Sequence, residues 1–235
     1  MSRVAVLMPA LDEEAALPAV LEAIPAWVDR TIVVDNGSTD GTVEVARAGG
    51  AEVVAEPRRG YGAACLAGID HLEHHGSTPG ILVFMDADGS DDPGDMGRLV
   101  EPIRRGSADL VLGVRRSADG VGTMSGVGTL LPHARMGNRI VLTLTRLLFG
   151  RSFRDLPPFR AVRFSSLRAI EMDDRDWGWT LQMQIRAVRA GLRIEELEVA
   201  HRRRSEGVSK ISGSLSMSLR VGAKMFWTLA RERLR

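Results

Sequence analysis

Asp86, Ala87 and Asp88 stand directly after the apolar run 81–85, so two carboxylates with one small residue between them leave the end of a strand-like segment. Carboxylate oxygens suit a hard divalent cation, Mg2+ or Mn2+. A cation held there would bridge a diphosphate and, as a Lewis acid, neutralise charge developing on a nucleotide leaving group. Small Ala87 leaves room for the ligand. Alone the triplet is a weak signal, because acidic loops with Gly89 and Pro93 are ordinary turn chemistry. A second polar cluster, Asp35-Asn36-Gly37-Ser38-Thr39-Asp40-Gly41-Thr42, follows the run 31–34. A turn and an Asp40 helix cap account for Gly37, Ser38 and Asp40. They leave Asp35 over, and a carboxylate there could accept bonds from a ribose or a base. A third stretch, Gly60-Tyr61-Gly62-Ala63-Ala64, opens a helix with small residues whose backbone amides could approach a phosphate, and a plain glycine turn fits it equally well.

These clusters need elements to position them. Short runs rich in Val, Ile and Leu recur at 4–7, 31–34, 53–55, 81–85 and 110–112, with helical-length segments between them. That alternation predicts an α/β domain with a buried, mostly parallel, Rossmann-like sheet and crossover helices. Asp12 precedes a stretch with Leu17, Val20, Leu21 and Ile24 on one face, and Asp40 precedes Val43 and Val45, so both read as helix starts. In open sheets of this kind ligands bind at the carboxyl ends of the strands. The clusters 9–14, 35–39 and 86–92 all fall there, and one crevice could collect them. Beyond Gly113 the pattern loosens. The glycine-rich stretch 117–128 reads as a loop over the crevice or as a surface connection, 139–149 and 177–190 as helices, and 192–199 as a strand.

Composition narrows the partners. At 235 residues the chain suits one domain with additions. Its 31 basic and 30 acidic residues nearly cancel, so composition offers no argument for a nucleic-acid partner. The single cysteine, Cys65, rules out an internal disulfide and fits a buried thiol in a reducing cytosol. No signal peptide is expected at the N-terminus, and no apolar run approaches the roughly 20 residues of a membrane-spanning helix. The expected location is cytoplasmic, with peripheral attachment to the inner face of the plasma membrane open.

In this order and at these spacings, 9–14, 35–42, 60–64 and 86–93 resemble the family 2 glycosyltransferases of the GT-A fold. The later motifs Asp155-Leu156-Pro157-Pro158-Phe159-Arg160-Ala161, Gly178-Trp179-Thr180 and Ser209-Lys210-Ile211-Ser212-Gly213 resemble one branch of that family. It is the branch of dolichol-phosphate mannosyltransferase and the polyprenyl-phosphate glycosyltransferases. The resemblance spans about 3–213 and implies a catalytic domain over 1–213, leaving 214–235 as a C-terminal basic amphipathic helix. It implies that Pro9, Leu11 and Glu13 border the donor base and that Asp35 contacts the nucleoside. Asp86, Ala87 and Asp88 then serve the diphosphate, with Asp86 and Asp88 on the metal. Relatives supply a Gln as a further ligand where this chain has Ser90, so water or Asp91 would take that place. Relatives also tend to have Gly where this chain has Pro157, which stiffens that turn.

Relatives that glycosylate a hydroxyl place a Glu just after the Gly-Trp-Thr motif, where this chain has Gln182. A carboxamide cannot act as a general base, which favours a phosphate acceptor that needs none. Asp174 or Asp176 would be the substitute base if either reaches the crevice. A phosphate acceptor needs cations, and Arg115, Arg116, Arg135, Arg202, Arg203, Arg204 and Lys210 are candidates, with Arg204 and Lys210 the strongest. From His201 onward nine Lys and Arg face two Glu. With Leu215, Leu219, Met225, Phe226, Trp227 and Leu229, the tail reads as an interfacial helix on an anionic membrane. Packing on the catalytic domain or on a second protomer, which would make a homo-oligomer, fits equally. The expectation is an inverting enzyme that moves a hexose from a UDP- or GDP-sugar to a polyprenyl phosphate. A soluble hydroxyl acceptor is the rival, and an inactive membrane-binding protein of the same fold is the alternative of another class.

Overall fold

The computed structural model describes residues 2–115, 132–202 and 215–235, with side chains outside the description at 132–136 and 215–219. Seven strands form one sheet: β1 (Val4–Ala10), β2 (Arg30–Asp35), β3 (Glu52–Ala55), β4 (Ile81–Phe84), β5 (Leu110–Arg115), β6 (Arg160–Arg163) and β7 (Ile194–Val199). Their order is β3-β2-β1-β4-β6-β5-β7. All pairings are parallel except those of β6, which runs antiparallel between β4 and β5. Six strands therefore point their carboxyl ends to the same edge, and β6 begins there.

The centre of the sheet is covered on both faces because strands such as β1 and β4 are apolar on both. In β1, Val4, Val6 and Met8 join one core cluster while Ala5 and Leu7 join the other; in β4, Ile81 and Val83 alternate with Leu82 and Phe84 in the same way. This is the period-2 geometry of a strand buried on both sides. Helices α1 (Leu17–Glu22) and α4 (Met96–Arg104) cover the first face through Leu17, Val20, Met96, Leu99 and Ile103. Helices α3 (Tyr61–His74), α6 (Phe164–Ala169) and α7 (Trp179–Arg189) cover the second through Leu72, Leu167, Trp179 and Met183. Each fully buried aliphatic or aromatic side chain contributes about 1.5–3 kcal/mol relative to exposure.

Helices α2 (Thr42–Ala48), α5 (Pro132–Phe149) and α8 (Leu215–Leu234) complete the described α-helices, and a short 3-10 turn at Pro93–Asp95 precedes α4. A third apolar cluster joins Val141 of α5, Leu181 and Ile185 of α7 and Leu229 of α8 around Leu156. A polar seam adds to it. Glu232 is 1% exposed and accepts from Arg186 Nη2 at 2.8 Å and Gln182 Nε2 at 2.7 Å. Among the described residues no helix is long and apolar enough to cross a membrane.

Two expected helix starts resolve differently. Asp40 stands one residue before the Gly41 N-cap of α2, and its Oδ1 accepts from Thr42 N at 3.1 Å from that position. Asp12 does not start α1, which begins at Leu17. It sits at φ 48° and its Oδ1 accepts from Thr39 N at 2.7 Å, so it serves the neighbouring loop instead. The glycine-rich stretch 117–128 lies outside the described residues.

Candidate active site

The carboxyl edge begins with two loops stitched together. After β1, Asp12 N donates to Ser38 Oγ at 2.9 Å and Glu13 N to Thr42 Oγ1 at 2.8 Å, while Glu14 Oε2 accepts from Gly41 N at 2.9 Å. Half-buried Asp35, the last residue of β2, accepts from Ser38 N at 2.9 Å. Buried Asn36 extends the seam: its Nδ2 donates to Glu56 O at 2.9 Å and Arg58 O at 2.7 Å, and its Oδ1 accepts from Gly60 N at 2.8 Å. Pro9, Leu11, Glu13 and Asp35 thus stand on one adjoining pair of strand ends, paired Pro9 to Val34 and Ala10 to Asp35.

On the other side of β1 stands the acidic loop that leaves β4. Asp86 is half-buried, while Ala87 and Asp88 are buried, Asp88 accepting from Ser90 N at 2.9 Å. Gly89 takes φ +73°, the left-handed turn that lets the loop fold back on itself. The exit of β7 pairs with this loop: Asp91 and His201 form an antiparallel bridge, and Arg202 N donates to Ser90 O at 2.8 Å. Asp91 Oδ1 and His201 Nδ1 lie 3.5 Å apart, both buried and both without a hydrogen bond. At that distance the two atoms form an ion pair when the imidazole is protonated, and with no hydrogen bond to either they have room for a further partner. Carboxylate oxygens are the donors that suit Mg2+ or Mn2+, with an imidazole nitrogen a weaker, secondary donor for them. Among the described residues no three His, Cys, Asp or Glu side chains already converge as a ligand set. A cation here would therefore complete its shell with water or diphosphate oxygens.

Arg115, at the end of β5, brings a cation to this edge, and Asp155 holds it. Its Nε and Nη2 donate to the two oxygens of fully buried Asp155, each at 2.8 Å. Burial works against the Arg115 charge, but Asp155, followed by Asp91 and Asp86, outweighs it and raises the pKa. The guanidinium thus balances the acidic loop while its bidentate face is already taken, which leaves less of it for an acceptor phosphate. Arg160, at the start of β6, is fully buried and donates to the carbonyls of Pro157 and Thr180. Desolvation pushes its pKa down to about 10. Beside it, burial pushes the Tyr61 phenol up, with Cys65 and Asp86 adding to the shift.

Three expected features take other roles. The amides opening α3 are engaged by protein: Gly62 N donates to Asp176 O at 3.3 Å and Ala63 N to Arg175 O at 2.9 Å. The glycines are there because a Cβ on Gly60 would stand 2.2 Å from Arg175 O, and one on Gly62 2.1 Å from Asp174 O. Close packing, not phosphate binding, explains this stretch. Gln182 is fully buried, its Oε1 accepting from Asp174 N at 2.9 Å and its Nε2 bonded to Glu232, so it faces α8 and not the crevice. Its identity therefore says nothing about a catalytic base. Asp174 is likewise buried, paired with Lys224 at 3.0 Å, whereas Asp176 is half-exposed. The Arg135 side chain lies outside the described residues, as do Arg116, Arg203, Arg204 and Lys210. Sequence reasoning missed His201, although it follows the run 192–199 much as Asp86 follows its own strand.

Comparison with known proteins accounts for this geometry. The family model described as Glycosyl transferase family 2 matches residues 5–171. An uncharacterized glycosyltransferase of Mycobacterium tuberculosis is 42% identical over 226 residues, covering 95% of this chain and 96% of its own. The undecaprenyl-phosphate mannosyltransferase of Micrococcus luteus is 33% identical over 234 residues, covering 91% of this chain and 89% of its own. Among solved structures, glucosyl-3-phosphoglycerate synthase from Mycobacterium tuberculosis, in complex with Mn2+, UDP-glucose and phosphoglyceric acid, superposes with a TM-score of 0.77. It is 24% identical and covers 99% of this chain and 80% of its own. That likeness gives the fold, the GT-A arrangement expected from the sequence.

Proposed function

The chain belongs to glycosyl transferase family 2, and from that membership we propose that it moves a hexose from a UDP- or GDP-linked donor to a polyprenyl phosphate at a membrane surface, with inversion at the anomeric carbon. Residues 1–213 carry the catalysis in this reading, and 214–235 form the basic amphipathic helix. The observation that carries it is the bridge between Asp91 and His201. It joins the acidic loop to the chain just before Arg202, whose guanidinium pairs with Asp92, and the sequence continues with Arg203 and Arg204, cations that this reading assigns to the acceptor phosphate. The likeness to the undecaprenyl-phosphate mannosyltransferase supports the same acceptor class.

Each residue then has a task. Pro9, Leu11, Glu13 and Asp35 border the nucleoside on the paired ends of β1 and β2. Asp86 and Asp88 would hold a divalent cation, with Asp91 and His201 as further donors; when bound, that cation supplies Lewis-acid stabilisation of the diphosphate leaving group. Arg115, fixed by Asp155, keeps positive charge behind the acidic loop. The acceptor phosphate, with a second pKa near about 6, arrives ionised at neutral pH and needs no base. Arg204 and Lys210 orient it for attack from the face opposite the nucleotide.

The test is transfer of labelled sugar from a panel of UDP- and GDP-sugars to short-chain polyprenyl phosphate, with Mg2+ or Mn2+ and with chelator. A chelator-sensitive labelled lipid is the expected product. Product formed on phosphoglyceric acid or another soluble acceptor, with none on lipid, would overturn the acceptor assignment, and half-exposed Asp176 would then be the first residue to examine as a base.

A further inference from the structure

Helices α5 and α8 pack together and on α7 through one side each, burying Val141 and Leu229 in a shared cluster. Their other sides are exposed and apolar. Leu147 is 72% exposed, Trp227 52% and Phe226 46%, and Ile140 and Leu148 of α5 are exposed as well. These five are most of the large exposed apolar side chains among the described residues, and they fall on two neighbouring helices. A concentration of that kind marks an interaction surface rather than the scattered exposure of an ordinary monomer.

The charge on the same helices is one-sided. The sequence of α5 contains no Asp or Glu, and α8 contains only Glu232, which is buried against Arg186. The exposed positions carry Arg139, Arg146, Arg220 and Arg233. Trp227 lies between two more cations, with Lys224 Nζ 4.8 Å and Arg231 Cζ 5.2 Å from its ring centroid. Lys224 is paired with Asp174 and Arg231 with Asp173, so the basic character of the face rests on its exposed arginines; an indole among such cations, on helices that also expose Leu and Phe, matches the boundary between acyl chains and anionic headgroups. A second copy of the chain fits less well. A two-fold contact would set this face against itself, and its exposed arginines would meet one another, since Glu232 is buried and Asp173 and Asp174 are already paired within the chain.

We propose that the outer face formed jointly by α5 and α8 is the surface by which the enzyme docks on an anionic bilayer. The inference rests on the lipid-phosphate reading and deepens it by naming the partner and the face. That face backs onto the reaction edge, since the cluster beneath it contains Leu156, next to the Asp155 that holds Arg115. The outer stripe of α5, which no property of the basic tail foretells, is an equal part of the surface.

The experiment is co-sedimentation with vesicles of phosphatidylcholine alone and of phosphatidylcholine mixed with phosphatidylglycerol, without nucleotide-sugar or polyprenyl phosphate. The full chain is expected to bind the mixed vesicles, to release them at high salt, and to ignore the neutral ones. Leu147→Ser combined with Trp227→Ser, both at exposed positions, should lower the affinity at least about tenfold. The variant should keep the wild-type far-UV circular dichroism and melting temperature. Arg146→Glu with Arg233→Glu should weaken binding and flatten its salt dependence. Absence of binding to the mixed vesicles, or binding untouched by the Leu147 and Trp227 changes, overturns the proposal. So does a concentration-dependent dimer that the same double variant dissolves, which would assign the face to a second copy. Because no substrate is present, either failure leaves the acceptor assignment standing, to be judged by the transfer assay.

Discussion

Replacing Glu232 by Ala removes a carboxylate that is 1% exposed and that gathers Arg186 and Gln182 onto the last helix. Breaking a buried ion pair by deleting one partner costs about 3–5 kcal/mol when the other charge is stranded. Here the stranding is partial. Arg186 keeps Asp173 Oδ1 at 2.8 Å and the carbonyl of Ile170 at 3.2 Å, and Gln182 Nε2 keeps Asp173 Oδ1 at 2.8 Å. The expected loss is therefore about 2–3 kcal/mol, or a fall in melting temperature of about 4–12 °C for a chain of this size. Urea unfolding followed by circular dichroism at neutral pH reads it directly. The dependence on pH has a definite sign. Burial pushes the Glu232 carboxyl up, but the hydrogen bonds from Arg186 and Gln182 and the Arg186 charge outweigh it, leaving the pKa below the ordinary value. A depressed carboxyl stabilises the fold above the unfolded-state pKa of about 4.3 and loses that contribution as the pH falls through the folded value. The gap between wild type and variant should thus be widest near neutrality and close in acid. A loss under about 0.5 kcal/mol at pH 7 would refute the view that the polar seam fastens α8 to the domain.

Other substitutions test the site and its supports. Asp88→Ala should lower sugar transfer at least about a hundredfold while the protein still melts cooperatively, as read by steady-state assay and calorimetry. Gly62→Ala forces a methyl group to within 2.1 Å of the Asp174 carbonyl, so stability should fall by about 2 kcal/mol or more in a urea titration, with loss of activity because α3 must shift. Asp109 is held at a pKa of about 2, chiefly by Arg193 and, after an opposing effect of burial, by Arg163. Its contribution should be intact above about pH 4 and vanish toward pH 2, and Asp109→Asn should flatten the acid limb of a stability-against-pH curve.

β1 and β4 were legible because each is a short apolar run whose two faces are both buried, as in β4, where Ile81 to Phe84 have nothing polar to point outward. β6 was not, since Arg160-Ala161-Val162-Arg163 is brief and charged at both ends, and only the neighbours β4 and β5 make it a strand. The placement of Asp35, Asp86, Asp88 and Arg115 at or just past strand ends on one edge was readable because each follows a buried apolar run. What Arg115 grips was not readable, because Asp155 lies 40 positions away and meets it through the sheet. The glycines at 60 and 62 misled for a related reason. Their small size serves the backbone at 174–176, a partner distant in sequence and invisible to local pattern.

The placement of β6 also bears on how the molecule comes apart. β4 and β5 share no ladder of their own, so β3-β2-β1-β4 on one side and β5-β7 on the other are joined within the sheet through that single four-residue strand. Bringing Phe84 to Arg160 closes a long stretch of chain, which makes this pairing expensive in loop entropy compared with the local crossovers of the first four strands. In a hydrogen-exchange experiment the amides of β6 become the gauge of the junction. If the two parts of the sheet open separately, those amides exchange with whichever part releases them first, and the acidic loop on β4 loses its register with Arg115 on β5 at that moment.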